Sequence, residues 1–228
     1  MAVETSHDAE LTWSLVLPVK PLARAKTRMA EAAGPLRQAL ALAVAADTVA
    51  AALRCAAVAE VIVVTDDPLA AAELSALGAR VVPDEPDCGL NPALAHGAAL
   101  ARAARPRAGV GAMSADLPAL RPAELGRALA AAAGFAESFV ADAQGVGTTL
   151  YAVRPGVPFS PAFGPGSRAR HAAQGARELA IEGLDSLRRD VDTPGDLRAA
   201  LALGTGPRTA ALAARMPAFS PGAETSRG

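Results

Sequence analysis

The sequence predicts an α/β domain of Rossmann-like type, with a single mostly parallel sheet and helices on both faces. Three observations predict it. Short apolar runs alternate with segments that are apolar at helical spacing along most of the chain. Of the 228 residues, 51% are apolar and 20% charged, which suits one globular domain with a sizeable core. No internal repeat and no second such series is visible. With only 3% aromatic residues, that core must be built mainly from Leu, Val and Ala.

Residues 15–19 (LVLPV) read as the first buried strand. A polar, basic loop covers 20–28. Residues 35–57 read as a helix, with Leu36, Leu40, Val44 and Val49 at helical spacing and Pro35 in the first position. The run 61–64 (VIVV) is a second strand, ended by Thr65-Asp66-Asp67-Pro68. A short helix at 69–77 closes on Gly78 as its C-cap, and a brief strand follows at 80–82. Then come a helix at 92–104, a strand at 110–113 and a mostly helical stretch at 119–133, with Pro122 near its start. Strands at 138–141 and 148–153 precede a Gly/Pro-rich loop at 155–167. A short helix at 168–176, a strand at 179–181 and a last helix at 194–203 complete the series. Segments 1–11 and 205–228 read as disordered, leaving a domain at 12–204.

Net charge of -1 argues against a dedicated nucleic-acid or membrane-surface protein. The N-terminal segment lacks a basic region and a long apolar core, and no 18-residue apolar run is read, so the expected location is the cytoplasm. Cys55 and Cys88 form no CxxC and imply neither zinc nor a disulfide framework.

In sheets of this class, ligands sit beyond the carboxyl ends of the strands, so the loops after strands carry the candidates. The first places Lys20, Arg24, Lys26 and Arg28 within nine residues, a cation density that suits a triphosphate; a solvated basic loop is the alternative. Arginine outnumbers lysine 20 to 2, yet both lysines fall in this segment, where a compact ammonium has a use. No P-loop motif is present. Asp116 follows the 110–113 strand in Ser114-Ala115-Asp116-Leu117-Pro118. It can hold Mg2+ for a phosphate, or serve as a turn aspartate before proline.

Asp190-Val191-Asp192 puts two carboxylates on one side of an extended backbone, as a divalent cation requires. Asp192 or Thr193 can instead cap the following helix, and Arg188 and Arg189 can pair with Asp190 at the surface. Asn91, the only asparagine, follows Gly89; it is either an N-cap with Pro92 in the first helical position or a side chain touching base or ribose. Gly164 and Gly166 precede Ser167, with Arg168, Arg170 and His171 on a short helix. That is a second anion site or a plain capped helix. Thr148 and Thr149 lie upstream with further donors. His7 and His96 are isolated, and no Ser/His/Asp set can be assembled.

In this order, LPVKPLARAKTRM, VVTDD, GLNPAL, SADLPAL, GTTLY, FGPGSRARH and DVDTPGDL resemble the CofC/FbiD guanylyltransferases of coenzyme F-420 biosynthesis, within the MobA-like nucleotidyltransferases. The resemblance spans about residues 12–203. It implies a nucleotide-diphospho-sugar transferase-like fold, binding of GTP and Mg2+, and attack by a phosphorylated three-carbon acid on the α-phosphorus, with loss of pyrophosphate. It also implies that Lys20, Lys26 and Arg28 hold the triphosphate, with Lys20, Lys26 and Asp116 as the catalytic set. Gly89 and Asn91 then lie near the nucleoside. Asp116, Asp190 and Asp192 hold metal, and Thr149, Gly164 and Ser167 bind the acid with Arg168 nearby. The acid is phosphoenolpyruvate or 2-phospho-L-lactate, the arginine and alanine bias favouring the former. A reactive product would make direct hand-off to the next transferase useful. The first loop reads PVKPLARAK where the broader class carries glycines, so side-chain cations replace a backbone cradle. That loop separates the chain from enzymes acting on the molybdenum cofactor, and the lack of GxGxxG separates it from Rossmann oxidoreductases. A non-catalytic nucleotide-binding domain would not need three metal carboxylates and a second anion loop.

Overall fold

The computed structural model describes residues 11–85 and 87–219. Seven strands form one sheet: β1 (Trp13–Pro18), β2 (Val58–Val64), β3 (Arg80–Val82), β4 (Gly109–Met113), β5 (Glu137–Ala141), β6 (Thr148–Val153) and β7 (Arg177–Glu178). Their order is β3-β2-β1-β4-β6-β5-β7. The first four pair in parallel, β6 runs antiparallel to both β4 and β5, and β7 is parallel to β5. The sheet is mostly parallel, as the alternation of strands and helices predicts.

The helices are α1 (Ala30–Ala33), α2 (Arg37–Leu53), α3 (Pro68–Ala76), α4 (Leu90–Ala104), α5 (Pro122–Ala132), α6 (Ser167–Ala173), α7 (Asp185–Arg188), α8 (Pro194–Leu203) and α9 (Pro207–Ala213). One face of the sheet packs Leu15, Leu17, Val61 and Val63 against Val49, Leu74 and Leu125 of α2, α3 and α5. The other packs Val16, Ile62, Val64 and Tyr151 against Ala93, Leu94 and Ala98 of α4. A side chain at Gly97 would sit 2.5 Å from Val16, so α4 approaches β1 too closely for any residue but glycine. An 18-residue window within Thr27–Leu53 has the length and composition of a membrane span, but 61% of that window is buried within the protein, where α2 is a core helix.

Three departures from the sequence reading have physical causes. Residues after Gly204 were expected to be disordered; instead α9 packs there, with Leu212, Ala213 and Met216 buried. Asp47, buried on α2, accepts the Arg208 and Thr209 N–H groups at 3.3 and 2.7 Å, so a tertiary carboxylate caps α9. Residues 1–10 and 220–228 lie outside the described residues. The strand expected at 179–181 is Arg177–Glu178 instead, a polar edge strand whose neighbour Leu179 is buried and donates its N–H to Phe139 O at 2.8 Å. Asn91 is not the N-cap of α4: Gly89, at φ 118, holds that position, and the Asn91 amide is engaged elsewhere.

Candidate active site

A cavity of about 450 Å3 opens at the carboxyl ends of β1 and β4. Lys20, Arg24, Lys26 and Arg28 line one side of it; Asp116, Asp142, Asp190 and Asp192 line its floor; Thr148, Phe163, Gly164 and Ser167 line the far end.

The first loop is held by groups that the sequence reading missed. Leu22 donates its N–H to Asp67 Oδ2 at 2.8 Å, and Asp67 also caps α3 through the Leu69 and Ala70 N–H groups. From α2, the Arg37 guanidinium donates to Ala23 O at 2.9 Å and to Ala25 O. The loop is thus tied to two elements by its backbone, leaving Lys20, Arg24 and Arg28 exposed toward the cavity. Lys26 alone turns inward. Its φ of 52° is left-handed, which costs a residue with a Cβ on the order of 1 kcal/mol.

The Lys26 ammonium compensates with three oxygens. It lies 2.7 Å from Asp116 Oδ2 and 3.3 Å from Asp192 Oδ1, and it donates to Val191 O. Burial alone would depress its pKa, but Asp116 and then Asp192 more than reverse this and leave it raised. Two hydrogen bonds frame it. Leu117 donates its N–H to Thr48 Oγ1 on α2 at 2.9 Å, and Val191 donates to Asp116 O at 3.0 Å, so two loops far apart in sequence are stitched side by side.

Asp192 and Thr193 are not rivals for the same task. Thr193 and Asp196 form a capping box that starts α8, leaving Asp190 and Asp192 free of capping. Arg188 does not pair with Asp190; it donates to Ala141 O and Asp142 O at 3.1 and 3.0 Å. None of the ion pairs among the described residues involves Asp190. Burial, then the charges of Asp116, Asp192 and Asp142, push its carboxyl up to about 7. Asp142, which the sequence reading passed over, accepts the Val146 and Gly147 N–H groups at 2.9 and 2.8 Å. Among the described residues, no three His, Cys, Asp or Glu side chains are arranged to hold a metal ion, and Lys26 fills the place between two of the carboxylates.

At the far end, Gly164 and Ser167 line the cavity. Thr149 is the extra residue of a bulge: Leu150 pairs with Val140, and Thr148 with Ala141. Its hydroxyl is buried with no partner among the described residues, and its carbonyl accepts the N–H of Ser114 on the cavity wall at 2.9 Å. Thr148 itself reaches the cavity. Gly89, Asn91, Thr149 and Arg168 do not line it. Arg168 is committed to Glu178, at 3.1 Å through two nitrogens, and to Gly145 O at 2.9 Å.

His171, on the same short helix as Arg168 and Arg170, is fully buried. Ala162 donates its N–H to Nε2 at 3.0 Å, and Nδ1 lies 3.0 Å from Thr148 Oγ1. Burial, and then the Arg170 guanidinium, push its pKa down to about 4.

The chain has relatives in sequence and in fold. A family model described as guanylyl transferase CofC like matches residues 13–216. The phosphoenolpyruvate guanylyltransferase of Streptomyces coelicolor is 64% identical over 207 residues, covering 90% of this chain and 98% of that protein. A CTP-complexed CMP:2-keto-3-deoxy-manno-octonic acid synthetase shares the fold, with TM-score 0.51 at 17% identity over 84% of this chain and 98% of that one. So does the manganese complex of Rv0371c from Mycobacterium tuberculosis, with TM-score 0.51 at 23% identity over 85% of this chain and 99% of that one. The chain is a nucleotidyltransferase and belongs to the CofC-like guanylyl transferase family.

Proposed function

We propose that the chain transfers GMP from GTP to phosphoenolpyruvate, giving enolpyruvyl-2-diphospho-5'-guanosine and pyrophosphate. One observation carries this reading: a single cavity sets three free cations at one end, neutral donors at the other, and four carboxylates with Lys26 among them in between. It accords with the identity to the Streptomyces coelicolor enzyme of that activity.

A phosphate oxygen of the acid attacks the α-phosphorus. The bond to the β-phosphate oxygen breaks, and pyrophosphate leaves with the electron pair. The attacking oxygen is already anionic, so no general base is needed, and the site works by positioning and charge neutralisation. Lys20, Arg24 and Arg28 hold the triphosphate. Thr148, Gly164 and Ser167 bind the acid.

The floor has the charge for a divalent cation, though Lys26 now fills the place between two of its carboxylates. Asp116, Asp192 and the Val191 carbonyl already surround a positive charge in the Lys26 ammonium. Asp190 stands beside them against the repulsion of three carboxylates. Asp116, Asp190 and Asp192 would hold Mg2+, which neutralises phosphate charge and orients the reacting oxygens when bound. With a cation there, the Lys26 ammonium would be available to the triphosphate. The reaction belongs in the cytoplasm, with the diphosphate ester passed to the next transferase of coenzyme F-420 synthesis.

The test is pyrophosphate release from GTP and Mg2+ with phosphoenolpyruvate, run in parallel with 2-phospho-L-lactate. Release is expected with phosphoenolpyruvate. A faster reaction with 2-phospho-L-lactate would reassign the acid, and no release with either acid would refute the function.

A further inference from the structure

The loop between β6 and α6 has no regular structure, so its backbone polar groups need partners outside any ladder. At Ala162 and Phe163 all four have one. Ala162 N–H goes to His171 Nε2 at 3.0 Å, and Ala162 O accepts from Arg170 Nε at 3.1 Å. Phe163 N–H goes to Asn91 Oδ1 at 2.8 Å, and Phe163 O accepts from Asn91 Nδ2 at 3.1 Å. The dipeptide just before Gly164 is therefore fixed by three side chains from two helices. The His171 ring adds an apolar lock, stacked on Tyr151 at 4.7 Å and meeting Phe163 edge-on at 5.3 Å.

These contacts also fix a proton. Because Nε2 accepts from Ala162, the proton of the neutral ring resides on Nδ1, within reach of Thr148 Oγ1 at 3.0 Å and of the Ser167 carbonyl. The Thr148 hydroxyl is thereby an acceptor on its buried side. Because Thr148 also lines the cavity, its own hydrogen is free to be directed there.

We propose that His171 and Asn91 are positioning residues for the acid substrate: together they fix the backbone leading into Gly164 and turn the Thr148 hydroxyl into a directed donor for an acid oxygen. This rests on the reading that the Gly164–Ser167 end takes the phosphorylated acid. It also gives Asn91 a task different from contact with the nucleoside, since both ends of its amide are already bonded to Phe163.

The variants separate these roles. Asn91→Ala releases Phe163. His171→Gln keeps an acceptor for Ala162 and drops the Nδ1–H donor, while Thr148→Val removes the hydroxyl. For each, kcat and KM for GTP and for phosphoenolpyruvate would be measured in the full chain, alongside the melting temperature. Each single variant is expected to raise KM for phosphoenolpyruvate about tenfold with KM for GTP unchanged. Adding Thr148→Val to His171→Gln should cost no further KM, because the two act as one unit. A purely structural role would lower the melting temperature and the active fraction with neither KM moved, and that result overturns the inference. So does a raised KM for GTP in Asn91→Ala. If the His171 variants do not fold, Asn91→Ala decides alone. If wild-type protein releases no pyrophosphate, the proposed reaction itself is refuted, which is a distinct outcome from an unmoved KM in active variants.

Discussion

The two loops at the ends of the cavity use their charges in opposite ways. In the first loop, Arg37 and Asp67 hold the backbone from neighbouring elements, so Lys20, Arg24 and Arg28 are left for a ligand. In the second, the cations are consumed internally: Arg170 holds Ala162 O, and Arg168 holds Gly145 O and Glu178. What the second loop offers is neutral, in hydroxyls and backbone N–H groups. A triphosphate carries more charge than a phosphorylated three-carbon acid, and the difference between the loops matches it. The second loop also holds its anion by placed donors rather than excess charge, which favours shape selectivity over attraction at a distance.

The strongest way to break this division is at the floor that both loops share. Asp116→Asn keeps the side-chain shape and removes a charge that Lys26 and the proposed metal both use. It is expected to lower kcat on the order of a thousandfold, about 4 kcal/mol of transition-state stabilisation, with the melting temperature little changed. Pyrophosphate release at saturating substrates measures it. Near-wild-type turnover would remove Asp116 from the site and leave the two loops without a common centre.

The second loop should also carry a pH signature that the first does not. His171 has a folded-state pKa of about 4 against an ordinary 6.5, so between these values the unfolded chain binds more protons. Stability from this group is fully present above about pH 6.5 and is lost as the pH falls toward 4, by up to about 3 kcal/mol. Urea unfolding of wild type and His171→Gln across this window isolates it, because the other titrating groups are common to both. A wild-type curve parallel to the variant's would show that His171 is not held neutral.

Much of this was legible in the sequence, and the failures have a common cause. The strand ends and the residues just beyond them followed from apolar runs and turn residues, which singled out Lys20, Lys26 and Asp116; alternation singled out Asp190 and Asp192, and the family resemblance put all five in one site. What escaped were partners fixed only by tertiary contact. Arg37 and Asp67 look like ordinary helix-end residues until the first loop lies over them. The Asn91 amide looks like a cap, because cap and cross-loop clamp draw on the same side-chain chemistry. The helix at Pro207–Ala213 sits in a Gly/Pro/Thr-rich segment, and only the buried carboxylate of Asp47, far back in the chain, shows why it forms. Composition reports local preference, and that segment is decided by a contact between distant parts of the chain.

The smallest expected effect gives the most direct reading of the division between loops. Lys20 and Arg168 are both exposed and both came from the sequence as ligand-binding cations, but only Lys20 faces the cavity. Lys20→Ala should raise KM for GTP about tenfold, and added salt should narrow the gap to wild type because part of the attraction is screened. Arg168→Ala should leave KM for both substrates within about twofold and cost no more than about 1 kcal/mol of stability, the usual worth of an exposed ion pair. If Arg168→Ala instead raised KM for phosphoenolpyruvate tenfold with GTP unaffected, Arg168 would have to leave Glu178 when the acid binds. The second loop would then hold its anion by charge, as the first does.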